Sequence, residues 1–210
     1  MPENIQENKS DVLRGKVAYL YNLATYYFFG LRAVHKKALS FVVLDKNGAL
    51  LDVGCGAGKF LSDIRKKMGE SVRLSGVDPS PEMIEIAKKR LKGGEAALKV
   101  AYGGELPFIN ESFDFVASTL AFHHMDEKEK GKSIKEIRRV LKPGGKLLIS
   151  DLGGHPLSFW GQIGQSLSQR HAYTRDNMAI VRHLLADNHL EIIKTGLSWG
   201  WIDHILAKKV

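Results

Sequence analysis

The amino-acid sequence predicts an α/β fold, a mostly parallel sheet with helices on both faces. Three observations carry that prediction. The run Leu50–Val53 is apolar but for Asp52, breaks into the alternate glycines Gly54, Gly56 and Gly58, and passes into a helical pattern, which is how a nucleotide-binding βαβ unit begins. Short apolar runs and helical periodicity then alternate up to Ser150, the rhythm of a parallel sheet. Capping and turn residues mark the switches between them.

Residues 1–10 read as a loose tail. From Asp11 to about Leu44 a helical region is dense in aromatics (Tyr19, Tyr21, Tyr26, Tyr27, Phe28 and Phe29), with Gly30 separating two helices. It is expected to form an N-terminal layer over a core edge, a lid over a ligand, or both. After the turn at Asn47-Gly48, the first strand runs to about Val53, and its helix stops near Gly69. Ser71–Val77 is the second strand. Ser80 is a good helix N-cap, with Pro81 at the first helical position and Glu82 reinforcing the start. That helix ends at Gly93-Gly94. Ala96–Ala101 and Phe113–Ser118 are the third and fourth strands. Asp126 opens the next helix, with Glu129 completing a capping box, and Lys142-Pro143-Gly144-Gly145 is expected to stop it. Lys146–Ser150 is the fifth strand. Residues 152–172 read as an irregular insertion, Thr174 as the cap of a helix ending near Asn188, and Leu190–Thr195 and Trp199–Lys208 as two terminal strands joined by a hairpin.

The length of 210 residues suggests one globular unit, divided into an N-terminal helical extension over residues 1–45 and a ligand-binding domain over 46–210. The charge of +8 comes from 31 basic against 23 acidic residues. The basic residues fall in short groups on predicted helices, which suits solvated faces, while a phosphate-bearing partner such as anionic lipid or nucleic acid is the sharper alternative. Cys55 is the only cysteine, so no internal disulfide forms. Val17–Leu31, the longest uncharged apolar run, is shorter than the roughly 20 residues a membrane span needs. The expected location is the cytoplasm. No metal site is expected, because the histidines form no helical pair with an acidic partner.

The glycine loop narrows the ligand. A dinucleotide fingerprint places its third glycine at position 59, which is Lys59 here, and no Gly-Lys-Ser/Thr follows for a nucleoside triphosphate. Asp78, ending the second strand, is placed to meet a ribose diol. Asp52 adds a second negative charge, which suits a cationic ligand and repels a diphosphate.

The stretches Leu50-Leu-Asp-Val-Gly-Cys-Gly-Ala-Gly58, Gly76-Val-Asp-Pro-Ser-Pro-Glu-Met83, Leu106-Pro-Phe108, Ser112-Phe-Asp-Phe-Val116 and Leu141-Lys-Pro-Gly-Gly-Lys-Leu147 together resemble a class I S-adenosylmethionine-dependent methyltransferase. The resemblance covers residues 48–151. Within that group the chain is most similar to the small-molecule branch that includes the ubiquinone/menaquinone biosynthesis C-methyltransferases, with Ala18-Tyr-Leu-Tyr-Asn22 loosely matching that branch's aromatic lead-in. The chain departs from the branch after Asp151, where Trp199-Gly-Trp201 and His204 are unexpected.

The resemblance implies a Rossmann-like seven-stranded, mostly parallel sheet with the last strand antiparallel, an N-terminal helical lid, and S-adenosylmethionine as cofactor, with S-adenosylhomocysteine as product. It puts Gly54, Cys55, Gly56 and Gly58 under the methionine part, Asp52 near its amino group and Asp78 on the ribose. Cys55 is a small residue in a tight turn and not a nucleophile. Pro79 and Met83 flank the adenine, Tyr102 and Gly103 meet its edge, and Leu120 faces the reacting end. Tyr21 is a candidate aromatic near the sulfonium. His123, in Ala121-Phe-His-His-Met125 at the carboxyl edge of the sheet, is the candidate general base; the alternative is that His123 and His124 only shape the loop.

The expected activity is methyl transfer to a small, lipophilic or aromatic molecule. A nucleic-acid methyltransferase is the less favoured alternative, since Ser118-Thr-Leu-Ala121 is neither Asn/Asp-Pro-Pro-Tyr/Phe nor a Pro-Cys motif. Methylation of phospholipid head groups, with peripheral membrane contact, and a non-catalytic cofactor-binding protein on the same fold are the others. The oligomeric state is left open.

Overall fold

The computed structural model describes residues 31–92, 96–153 and 177–210. Tyr21 with the rest of the aromatic lead-in, and most of the segment after Asp151 including Thr174, lie outside the described residues.

Seven strands form one sheet in the order β3-β2-β1-β4-β5-β7-β6. They are β1 (Ala49–Val53), β2 (Arg73–Asp78), β3 (Ala96–Val100), β4 (Phe113–Thr119), β5 (Leu141–Leu152), β6 (Leu190–Ser198) and β7 (Ile202–Lys209). The first five pair in parallel. β7 pairs antiparallel with both β5 and β6. The expected seven-stranded, mostly parallel sheet is therefore present, with β7 inserted between β5 and β6.

Among the described residues, five α-helices accompany the sheet: α1 (Leu31–Leu39), α2 (Lys59–Met68), α3 (Pro81–Arg90), α4 (Glu127–Val140) and α5 (Asn177–Asp187). On one face Ile134, Ile137 and Val140 of α4 and Met178, Val181 and Leu185 of α5 pack against Leu51, Val53, Val116 and Ile149. On the other, Ala38, Phe41, Phe60, Leu61, Ile64 and Ile84 cover Leu50, Leu74, Phe115 and Leu148. Residue alternation along the strands divides Leu50 from Leu51 and Leu148 from Ile149 in this way. Sequence-local signals set the helix starts. The Ser80 hydroxyl accepts from the Met83 N–H with Pro81 in the first turn, and Asp126 and Glu129 form the reciprocal capping box.

Boundaries differ from the expectation chiefly in two places, the start of β5 and the C-terminal hairpin. Helix α4 ends at Val140, and β5 begins at once with Leu141. Leu141 pairs with Phe113, and Lys142–Gly145 loop out before pairing resumes at Phe115 with Lys146. Pro143 and Gly144, whose φ is +72°, thus form an irregularity inside the strand rather than the helix stop. At the far end Trp199 belongs to the hairpin turn and not to the last strand, since both Trp199 and Gly200 have positive φ, 57° and 73°.

Several cations stitch the chain. Lys67 donates to the carbonyls of Leu39 and Val42 near the end of α1. Arg139 binds Glu136, Asn110 and the carbonyls of Leu106 and Phe108. Among the described residues, no helix is long and apolar enough to cross a membrane.

Candidate functional site

The glycine turn leaves β1 toward α2, and its glycines divide their roles. A Cβ on Gly54 would lie 2.4 Å from Ala121 Cβ, and one on Gly58 would lie 2.9 Å from Ala87 Cβ. Both therefore permit packing, against the end of β4 and against α3. Gly56 differs: its φ is +48°, and nothing lies within 4 Å of where its Cβ would stand. Only at Gly56, of the three, does the missing side chain leave open space that a ligand could use. The N–H groups of Gly54 and Cys55 both donate to the Val77 carbonyl, and that of Gly58 to Cys55. Gly56 N–H donates to Asp78 Oδ2 at 2.8 Å. With these donors used internally, the turn does not present the N–H cradle that grips a phosphate.

Asp52 is completely buried, and neither of its oxygens has a hydrogen-bond partner. Burial, with Asp78 adding repulsion, raises its pKa to about 8. A buried carboxylate without a partner is costly, and a ligand cation is the group that would relieve it. Asp78 stands beside it, partly exposed. Its Oδ2 holds the loop through Gly56, and its Oδ1 accepts from Ser80 N–H at 3.0 Å. Burial raises its pKa while the two backbone donors oppose the rise. Each oxygen keeps a lone pair for a further donor, which fits a diol. Together, Asp52, Gly56 and Asp78 match a ligand with one ribose and a cationic tail, as S-adenosylmethionine has.

The remaining expected contacts are placed unevenly. Met83 is buried with Ala57 beside the loop, whereas Pro79 is exposed. Tyr102 is 71% exposed. The Cβ position of Gly103 is filled by Ser133 Oγ at 2.7 Å and Val53 Cγ1 at 3.1 Å, so packing accounts for that glycine. The Cys55 side chain turns into the core with Leu61 and Leu74; burial, Asp52 and Asp78 all raise its pKa, keeping it a thiol.

The second half of the site is the end of β4. Leu120 has a φ of +55°, held there by its N–H bond to the Ser150 carbonyl at 2.8 Å. A left-handed leucine is strained. It turns the chain so that Ala121 lies against Gly54 and a short 3₁₀ turn, Phe122–His124, follows. His123 Nδ1 is 2.7 Å from Asp151 Oδ1. Asp151 also accepts from the Phe122 N–H through Oδ2 and from the Leu152 N–H through Oδ1, each at 2.7 Å. Its burial is complete. Burial works to raise its pKa, but His123 and the two N–H donors outweigh it and hold the pKa below the usual carboxylate value. Sequence reasoning did not single out Asp151. The available signal was an acidic residue at the carboxyl end of an apolar strand, where α/β sites form.

A family described as a methyltransferase domain matches residues 51–149. The chain is similar to the ubiquinone/menaquinone biosynthesis C-methyltransferase of Geotalea daltonii, at 33% identity over 126 residues, 58% of this chain and 53% of that protein. It is also similar to the demethylmenaquinone methyltransferase of Thermotoga maritima, at 30% identity over 181 residues, 79% of this chain and 77% of that protein. The chain thus spans only about half the length of the Geotalea relative. Among solved structures it is similar to an S-adenosylmethionine-dependent methyltransferase from Methanosarcina mazei, with a TM-score of 0.67 and 24% identity, covering 80% of this chain and 94% of that one. At that identity the likeness speaks for the fold alone.

Proposed function

Given that this chain belongs to the class I S-adenosylmethionine-dependent methyltransferases, we propose that it transfers a methyl group from S-adenosylmethionine to a small, lipophilic aromatic acceptor. The acceptor class follows that of the quinone-methylating relatives it resembles. The observation that carries the reading is Asp52, buried without a partner beside the open face of Gly56 and the lone pairs of Asp78. Asp52 holds the cofactor's ammonium, Asp78 the ribose hydroxyls, and Met83 with Ala57 the wall beside the loop. Leu120 borders the reacting end.

S-adenosylmethionine, when bound, supplies an already activated methyl group on a sulfonium. The chain's own work is to orient the acceptor, exclude water and accept a proton. Orientation of that kind can be worth roughly 7–11 kcal/mol. His123 is the group that takes the proton, which requires its Nε2 to be free, since Nδ1 is engaged by Asp151. The setting is cytoplasmic, and the partner is a small molecule.

Calorimetric titration with S-adenosylhomocysteine tests the binding half; micromolar binding, weakened at least tenfold in Asp78→Ala, is expected. Absence of binding, or full binding by that variant, overturns the reading. Labelled S-adenosylmethionine offered to lipid, small-molecule and RNA fractions of an extract tests the acceptor, with label expected in neutral lipids or small aromatics. Label in RNA or phospholipid alone overturns the proposed acceptor class.

A further inference from the structure

We propose that Asp151 is a positioning residue, which fixes His123 as the tautomer with its proton on Nδ1 and so keeps Nε2 as the basic nitrogen of the site. The inference deepens the reading of His123 as the base and rests on it. Three observations and one rule of hydrogen-bond chemistry support it. The Nδ1 to Oδ1 distance is 2.7 Å, short for a nitrogen–oxygen bond and typical of a charge-assisted one. An ionised carboxylate only accepts, so the proton between the two atoms belongs to Nδ1. The same carboxylate takes the Phe122 N–H, so one group anchors both the start of the 3₁₀ turn and the ring that the turn carries. And Asp151 is itself held: Ser150 pairs with Thr119 on one side, and Asp151 pairs with Asp203 on the other.

A purely structural role does not explain the choice of residue. Two backbone N–H donors could be satisfied by a neutral side chain, whereas an ionised carboxylate out of water carries a large desolvation cost. That cost is met here by His123 and the two donors. Lys130 of α4 adds positive charge to the same environment: it is buried, and Asp151 is the largest of the acidic groups that oppose the lowering of its pKa by burial. The His124 ring, 3.9 Å from that of His123 and tilted by 44°, limits the ring's freedom from the other side. His123 is close to the cofactor turn as well, since Ala121, two residues before it, is the atom contact that excludes a side chain at Gly54.

The chemistry balances. As the acceptor bonds to the methyl carbon, the carbon–sulfur bond breaks with its electron pair left on sulfur. The proton shed by the acceptor passes to His123 Nε2, and the imidazolium so formed is paired with Asp151.

The test is ring-nitrogen NMR of the full chain labelled with ¹⁵N-histidine, with S-adenosylhomocysteine added, at a pH where the His123 ring is neutral. His123 is assigned by loss of its signal in His123→Gln. The wild-type ring is expected to carry its proton on Nδ1 alone. In Asp151→Asn the side-chain amide can donate to Nδ1, so the proton is expected on Nε2. The variant's kcat is expected to fall about 100-fold, with KM for S-adenosylmethionine within threefold of wild type. Asp151→Glu is expected to restore part of the Nδ1-bound proton. A wild-type ring protonated on Nε2, or an Asp151→Asn enzyme with unchanged tautomer and turnover, overturns the inference. The wild-type spectrum decides even where Asp151→Asn fails to fold. Failure of S-adenosylhomocysteine to bind would instead strike the proposed function, and it is read independently by calorimetry.

Discussion

At the scale of single residues, the burial of Asp52, the residue proposed to meet the ligand's ammonium, opposes stability. In the free protein its pKa is about 8, against about 3.9 in an unfolded chain. Between those values the native state holds a proton that the unfolded state has lost, so stability falls as pH rises from 4 to 8. Replacing Asp52 with asparagine removes that penalty. Chemical denaturation at pH 8 should find Asp52→Asn more stable than wild type by at least about 1 kcal/mol, while calorimetry finds its affinity for S-adenosylhomocysteine at least tenfold weaker. Wild-type affinity should in turn rise with pH between 6.5 and 8, because binding the ligand's ammonium requires the carboxylate. His204 gives the opposite dependence. It is buried between Ser150 Oγ and Ser198 Oγ, each at 2.8 Å, and stacks on Phe41. Burial, with Lys37 adding repulsion, lowers its pKa to about 4. Its neutral form is favoured by folding, so its contribution is present above about pH 6.5 and is lost as pH falls toward 4. The loss is on the order of 3 kcal/mol and should disappear from the pH profile of His204→Gln.

At the scale of elements, the glycine turn joins three parts of the fold. Gly54→Ala would push a methyl into Ala121 at a positive φ. It should cost about 1–3 kcal/mol and disturb the turn carrying His123. The double variant Gly54→Ala, Ala121→Gly removes the clash and leaves only the backbone term, so a double-mutant cycle in urea should show about 1 kcal/mol or more of favourable coupling. Additive effects would mean that the contact does not hold the turn to the loop. What could be read from the sequence follows the range of the interaction. The Ser80 and Asp126 caps are complete within a few residues, so their pattern could be read directly. So could the turn and Asp78, joined over 22 positions but set by strand–turn geometry. Lys142–Gly145 has the composition of a helix stop, yet it becomes a strand irregularity because Leu141 finds Phe113. The pairing of His123 with Asp151 spans 28 positions and depends on the register of β4 against β5, which no local pattern encodes. Edge strand β6 exposes Ile192, Ile193 and Leu197. Its register shift between Ile192 and Lys194 breaks the regular edge that would otherwise invite another strand.

At the scale of the whole molecule, the C-terminal hairpin is part of the support of the site. β5 reaches the site at Asp151, and the neighbour that covers its outer edge is β7, in antiparallel register from Lys146 with Lys208 to Leu152 with Ile202. Without β7, the hydrogen-bonding groups on that edge of β5 would lose their partners beside Leu148 and Ile149, both fully buried in the intact sheet. The hairpin also supplies His204, which binds Ser150 immediately before Asp151. Asp203 fills the space where a Gly153 side chain would stand, and the Gly153 N–H binds the Trp201 carbonyl. A chain ending at His189 keeps the glycine turn, Asp52, Asp78, His123 and Asp151. On local grounds it would keep the site. The pairing of β5 with β7 predicts otherwise: such a chain should lose its cooperative thermal transition, elute as aggregate in size-exclusion chromatography, and bind no S-adenosylhomocysteine. Wild-type affinity in the shortened chain would show that β1, β2 and β4 hold the cofactor site unaided. Loss of binding together with the thermal transition would place the hairpin's contribution in the sheet, not in direct contact with the ligand.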